Sequence, residues 1–208
     1  MDFFDFHHHH KSNVYGIYNV EFGSVPPESP YSIGIHPKDI VMTSQEEQFH
    51  WLESNISKNC VAIGECGLDS MVLTPQNSQE QFFLRQIFIS NEIQKPLIIH
   101  CVRKFYEVIS LKKKAQQAVI IHGFNKKQRI AEDLLKNNFY MSFGKAVLYH
   151  LSLQDIVRNT PLNKIFLETD NECFNIEELY SKVSELKGIS AEKLNEQVLE
   201  NLDTIKNG

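Results

Sequence analysis

Short apolar runs alternate along this chain with stretches whose apolar residues recur every three or four positions. The first run, Phe3-Phe4-Asp5-Phe6, leads into four consecutive histidines, His7 to His10. Its aromatic content reads as a buried strand. Residues 15–22 (YGIYNVEF) form a second strand by the same criterion. The segment 23–30 carries Pro26, Pro27 and Pro30 and reads as a loop, because proline removes a backbone donor and fixes φ. Residues 31–36 (YSIGIH) give a third strand, stopped by Pro37.

From there the alternation becomes regular. Ser44 and Glu47 have the spacing of a capping box and predict a helix to about residue 57, with Phe49, Leu52 and Ile56 on its apolar stripe. A buried strand follows over 60–68 (CVAIGECGL). Ser78 and Gln81 predict a second capped helix, stopped before Pro96. Strands are predicted over 96–100, 118–122, 140–143 and 164–170. Helices are predicted over 103–114, 126–137, 151–159, 176–187 and 191–206, the last two separated by Gly188 with Ser190 as N-cap. Eight short strands alternating with amphipathic helices predict α/β architecture, a TIM-type (β/α)8 barrel in one domain spanning residues 1–208. The first two βα units lack room for full helices, so the barrel is trimmed there. An open doubly wound sheet is the competing topology.

Composition changes this picture little. With 42% hydrophobic and 23% charged residues, the 208-residue chain can bury one sizeable core. No apolar stretch reaches the roughly 18 residues that span a bilayer, and the N-terminal residues do not read as a signal peptide. A cytoplasmic location with no membrane association is therefore expected, and no obligate protein partner is evident. The net charge of −5 argues against a protein that coats nucleic acid through a uniformly basic surface. The clusters Lys112-Lys113-Lys114 and Lys126-Lys127 with Arg129 read as solvated helix ends. Cys60, Cys66, Cys101 and Cys173 lack metal-site spacing and are expected as free thiols.

The informative polar residues stand at the predicted strand ends: His7 and His9, His36, Glu65, His100, His122 and Asp170. In an α/β barrel those ends face the mouth where chemistry occurs. The histidine run by itself could be a purification-tag remnant, and any one of the others a satisfied polar residue; together they point to a metal site. Strand alternation puts Asp5, His7 and His9 on one face and turns His8 and His10 away, so the latter two are expected to tolerate replacement. Imidazoles mixed with carboxylates, without thiolates, suit zinc, manganese or magnesium, and a pair of divalent ions uses all the ligands.

The segments Phe4 to His9, Gly34-Ile35-His36-Pro37, Ile63 to Asp69, Pro96 to His100, Ile121-His122-Gly123-Phe124 and Leu167-Glu168-Thr169-Asp170, in this order, resemble the TatD-type metal-dependent deoxyribonucleases of the amidohydrolase superfamily. The chain is similar to a short variant of that family. The resemblance implies that His7 and His9 bind one metal, that Glu65 bridges two, and that His100 and His122 bind the second. It implies that Asp170 binds metal and orients or deprotonates the attacking water, with Glu65 and His36 completing the catalytic set. It further implies a substrate of single-stranded DNA or an oligonucleotide, with His36 and Arg103 in contact with it. The chain departs from the pattern at Ser70, at Arg103, and at Asn171-Glu172. These departures concern the substrate periphery, which leaves two alternatives: a superfamily hydrolase acting on an ester or amide, deacylase-like, or a non-enzymatic degenerate barrel.

Overall fold

A computed structural model describes residues 2–207. Eight strands run in sequence order around one sheet, every neighbouring pair parallel: β1 (Asp5–His8), β2 (Gly16–Val20), β3 (Tyr31–Ile33), β4 (Cys60–Asp69), β5 (Leu97–Val102), β6 (Val119–Ile121), β7 (Tyr140–Phe143) and β8 (Ile165–Leu167). The sheet closes on itself just beyond β8. There the Asp170 amide donates to the His7 carbonyl at 2.9 Å, and the His9 amide donates to the Asp170 carbonyl at 3.1 Å. The open doubly wound alternative is thereby excluded.

The helices are α1 (Gln45–Ser54), α2 (Gln76–Ile93), α3 (Phe105–Lys112), α4 (Gln128–Lys136), α5 (Leu151–Asn159), α6 (Ile176–Lys187) and α7 (Ala191–Asn207). No helix separates β1, β2 and β3: the β1–β2 connection is only seven residues long, and the β2–β3 connection carries three prolines. None of the helices is long and apolar enough to cross a membrane. The strands are buried on both faces, which explains why they read as continuous apolar runs rather than as an alternation.

One of the sequence's helix starts falls where expected without its side-chain cap, and one differs from the structure. Ser44 precedes α1, but its hydroxyl makes no cap to the first turn and instead lies 3.4 Å from the Val41 carbonyl. Ser78 lies inside α2, which begins at Gln76 after Pro75. At the other end of the chain Gly188 takes the left-handed conformation (φ 66°) that closes α6, and the Ser190 hydroxyl accepts from the Lys193 amide at 3.2 Å.

Candidate metal centre

The seam that closes the barrel also positions the first group of donors. Its backbone hydrogen bonds tie His7 and His9 to Asp170 and hold Asp170 at φ 54°, a left-handed conformation that aspartate tolerates better than most residues. The His9 Nε2 lies 3.4 Å from Asp170 Oδ1 and the His7 Nε2 lies 3.8 Å from it. On the opposite wall β4 advances three residues, Ile63 to Cys66, while β5 advances two, Leu97 to Ile99. Glu65 sits in this bulge, the kind of irregularity that re-aims a side chain.

Glu65 presents its two oxygens to two different pairs of imidazoles. Oε2 lies 3.7 Å from His7 Nε2 and 3.5 Å from His9 Nε2, whereas Oε1 lies 3.6 Å from His100 Nδ1 and 2.7 Å from His122 Nε2. Asn19 on β2 clamps it. The Asn19 side-chain amide donates to Oε2 at 3.1 Å, and its carbonyl oxygen accepts from the Glu65 backbone amide at 3.0 Å and from the Ser32 hydroxyl at 3.1 Å.

Behind the second pair of histidines stand two further carboxylates. Asp69 Oδ2 lies 2.9 Å from His100 Nε2, so the other ring nitrogen faces Glu65. Glu168 is fully buried, accepts from the Gly123 amide at 2.6 Å and from the Ser142 hydroxyl, and lies 3.5 Å from His122 Nδ1. Such backing carboxylates orient ligating imidazoles.

The clustered histidines and carboxylates shift one another's pKa values strongly. Burial, the largest influence on Glu65, works to raise its pKa, yet His122, His100 and His7 together hold it well below the usual carboxylate value. Burial likewise opposes a proton on His9, but Asp170 and Glu65 push its pKa up to about 9. His122 is also raised, against burial, by Glu65 and Glu168. His7 and His8, both wholly buried, have no hydrogen-bond partner at either ring nitrogen among the described residues, and His122 Nδ1 has none either; of these, His7 and His122 face Glu65 while His8 faces the wall. Buried polar atoms of this kind are rarely left without a partner. Four groups of three donors lie within reach of a common ion: His7, Glu65 and His122; His7, His9 and Asp170; His36, Glu65 and His100; and His122, Glu168 and Asp170. The imidazole and carboxylate donor set fits a divalent cation.

His36 ends the segment after β3 with its ring 4.2 Å from that of His100. Its Nδ1 accepts from the Lys38 amide at 3.0 Å, and burial, aided by His100, lowers its pKa to about 3. A neutral ring with Nδ1 accepting carries its proton on Nε2. A cavity of about 300 Å³ opens beside these groups, reached by His9, Asn19, Phe22, His36, Lys38 and Glu65. Arg103 stands exposed at the end of β5 in a left-handed conformation (φ 57°), with no side-chain hydrogen bond or ion pair among the described residues.

The structure thus brings together His7, His9, His36, Glu65, His100, His122 and Asp170. It does not bring Asp5, which was expected on the same face as His7 and His9. The register of β1 against β2 shifts between Asp5 and His8. The Asp5 carboxylate instead accepts from the Thr169 amide at 2.9 Å and from its hydroxyl at 2.6 Å, bracing the seam. Sequence reasoning missed Asn19, Asp69 and Glu168 as members of the site. The available signal was a polar residue at the end of an apolar strand, or two positions before an assigned ligand.

His8 also differs from expectation. It points away from the cluster, as alternation requires, but is wholly buried, and a Cβ on Gly16 would lie 2.8 Å from its ring. Replacing it with alanine empties part of the barrel wall, offset in part by removal of two buried ring nitrogens that have no partner among the described residues; His8→Ala is expected to cost about 1–2 kcal/mol net, a Tm loss of a few degrees. His10→Ala, half-exposed, should stay within about 0.5 kcal/mol. Thermal unfolding of the two variants checks this, and equal Tm values would contradict the assignment of His8 to the wall.

An eight-stranded parallel barrel with histidines and carboxylates converging at the C-terminal strand ends is an arrangement suited to metal-dependent hydrolysis. Comparison with known proteins specifies the class. Residues 22–206 match the family described as TatD related DNase. The uncharacterized metal-dependent hydrolase YabD of Bacillus subtilis is 29% identical over 189 residues, covering 82% of this chain and 74% of its own. The human deoxyribonuclease TATDN3 is 25% identical, covering 89% and 70%. Among solved structures YJJV, a TatD homolog from Escherichia coli K12, superposes with a TM-score of 0.81 at 18% identity over 99% of this chain and 98% of that one, a likeness of fold. The chain belongs to the TatD-related DNase family and is a divalent-metal-dependent hydrolase acting on ester bonds.

Proposed function

We propose that this protein cleaves phosphodiester bonds in single-stranded DNA or oligonucleotides, using two divalent ions, zinc, manganese or magnesium. The observation that carries the reading is the division of Glu65: one oxygen faces the His7 and His9 pair, the other the His100 and His122 pair. One carboxylate serving two imidazole pairs is the arrangement a bridging ligand needs. His7, His9 and Asp170 would hold one ion, His100 and His122 the other, with Glu65 between. Ions there would lower the pKa of a coordinated water and neutralise charge on the phosphate.

The chain's own groups supply the rest. Asp170, whose side chain is 36% exposed, can hold the attacking water at the mouth and accept its proton. His36, neutral with Nε2 protonated, donates a hydrogen bond to a phosphate oxygen. Arg103, free at the rim, neutralises a neighbouring phosphate. DNase family membership and the deoxyribonuclease name of the human relative support the choice of nucleic acid.

A screen of zinc, manganese and magnesium against single-stranded and duplex DNA tests the reading. Metal-dependent nucleotide release favouring the single strand is expected; no release with any ion would reject it. The backing carboxylates supply a finer check. Asp69→Ala frees the His100 ring to rotate and should weaken metal binding about 10–100-fold without unfolding the protein. A metal titration giving wild-type affinity would show that Asp69 does not position His100.

A further inference from the structure

The charges on the catalytic face are segregated. The loops and first helical turns that follow β5, β6 and β7 (residues 103–108, 123–131 and 144–154) contain Arg103, Lys104, Lys126, Lys127, Arg129 and Lys145 against one acidic residue, Glu107. The connections on the other side of the mouth (residues 10–15, 21–30, 34–44 and 171–175) contain Lys11 and Lys38 against Glu21, Glu28, Asp39 and Glu172. A chain of net charge −5 thus keeps one basic half-rim. Because β5, β6 and β7 are neighbours in the sheet, these segments are contiguous around the mouth.

Two large aromatic side chains stand exposed among the cations: Tyr106 in the first turn of α3 and Tyr149 just before α5, each 68% exposed. A cleft of about 870 Å³ opens beside Lys126 and Lys127, which line it with Phe105 on one side and with Ser152, Asp155 and Ile156 of α5 on the other; Tyr106 adjoins Phe105 in the chain, and Tyr149 precedes Ser152 by three residues. Lys104 and Lys145 are already engaged, by Glu107 at 3.3 Å and by Glu172 at 3.2 Å. Lys126 reaches only the neutral Asn125, and Lys127 makes no side-chain hydrogen bond or ion pair among the described residues.

Resting on the phosphodiesterase reading above, we propose that the β5–β7 half-rim is the track for the single strand, with its phosphates on Lys126 and Lys127 and its bases stacked on Tyr106 and Tyr149. Cations that follow a backbone, interleaved with exposed aromatic faces, are how single-stranded nucleic acid is held without sequence preference. The acidic half-rim repels the same backbone and so fixes the side from which the strand approaches. Lys126 and Lys127 are then more than residues of a solvated helix end, because both line this cleft.

The test pairs two substrates on the metal-loaded enzyme. Binding of a fluorescent phosphorothioate oligothymidylate dodecamer, whose backbone resists cleavage, is measured by anisotropy at several salt concentrations. Hydrolysis of a small chromogenic phosphodiester is followed in parallel. Lys126→Ala/Lys127→Ala is expected to raise the oligonucleotide Kd about 10-fold or more and to reduce the log–log salt slope by about 1.4, two phosphate contacts at ~0.7 each. Tyr106→Ala/Tyr149→Ala should raise Kd about 10-fold or more with the salt slope unchanged, since stacking releases no counterions. Lys11→Ala, on the other half-rim, should leave Kd and slope as in the wild type. The small diester does not span the rim, so its KM should move less than twofold in all variants. A wild-type protein that does not bind the oligonucleotide, or rim variants that bind as the wild type does, would overturn the track even if the diester is turned over. Failure to hydrolyse the diester with any ion would instead count against the phosphodiesterase reading, which this pair of measurements separates from the track.

Discussion

Glu65→Ala should lower metal-dependent hydrolysis about 10³-fold or more, on the order of 4 kcal/mol of transition-state stabilisation, while leaving the barrel folded. The side chain stands between two pairs of imidazoles, and its loss removes the negative charge that both groups of donors share. Four histidines would then face one another with only Asp170, Asp69 and Glu168 to balance a cation. Metal content should fall together with activity. Glu65→Gln sharpens the result, because it keeps the volume and a carbonyl oxygen for Asn19 but removes the charge. Activity in the glutamine variant near that of the alanine variant would assign the effect to charge; near-wild-type activity in either would remove Glu65 from the centre of the account. Circular dichroism on both variants separates loss of site from loss of fold.

Stripping the protein with a chelator should have the second large effect, on stability as well as on activity. Ligands that bind only the native state stabilise it by mass action, about 4 kcal/mol at ~1,000 times the dissociation constant. The free site carries a penalty of its own, since His7 is buried with neither ring nitrogen paired among the described residues. Removing divalent ions should therefore lower Tm by several degrees and abolish turnover, and restoring zinc, manganese or magnesium should recover both. A Tm indifferent to chelator and to added ion would mean that the cluster is not a metal centre. His8→Ala makes a useful control: it should lower Tm while leaving the response to metal intact, because its ring packs against Gly16 rather than into the cluster.

The fold was legible where periodicity is strongest. β7, α5 and α6 fall where the sequence pattern puts them, and the absence of a helix after β2 follows from the prolines at 26, 27 and 30. The helix starts were less legible, because a capping-box spacing specifies a start only when the backbone turns there, and at Ser78 Pro75 had already begun α2. In the site, the strand-end histidines stood out because they interrupt apolar runs. Asp5 was misread for a physical reason: alternation by twos assumes an unbroken register, and β1 shifts against β2 between Asp5 and His8. His8 was judged replaceable because direction was inferred without burial. A side chain turned away from the barrel mouth can still lie inside the wall. Asn19, Asp69 and Glu168 escaped because their contribution lies in whom they hold, Glu65, His100 and His122, and such pairings join residues between 31 and 46 positions apart. The charge polarity of the rim was hidden for a related reason. A net charge of −5 averages over faces that the barrel separates.

The most direct measurement is a metal reconstitution. Protein purified without a histidine tag is stripped of ions, divalent metal is returned in steps, and ions bound per chain are counted in the same samples that are assayed for nucleotide release from single-stranded DNA. Release should rise with occupancy and saturate at two ions per chain, and Glu65→Ala should neither bind the pair nor release nucleotide. Release that persists in stripped protein, or that stays absent with two ions bound, would contradict the account.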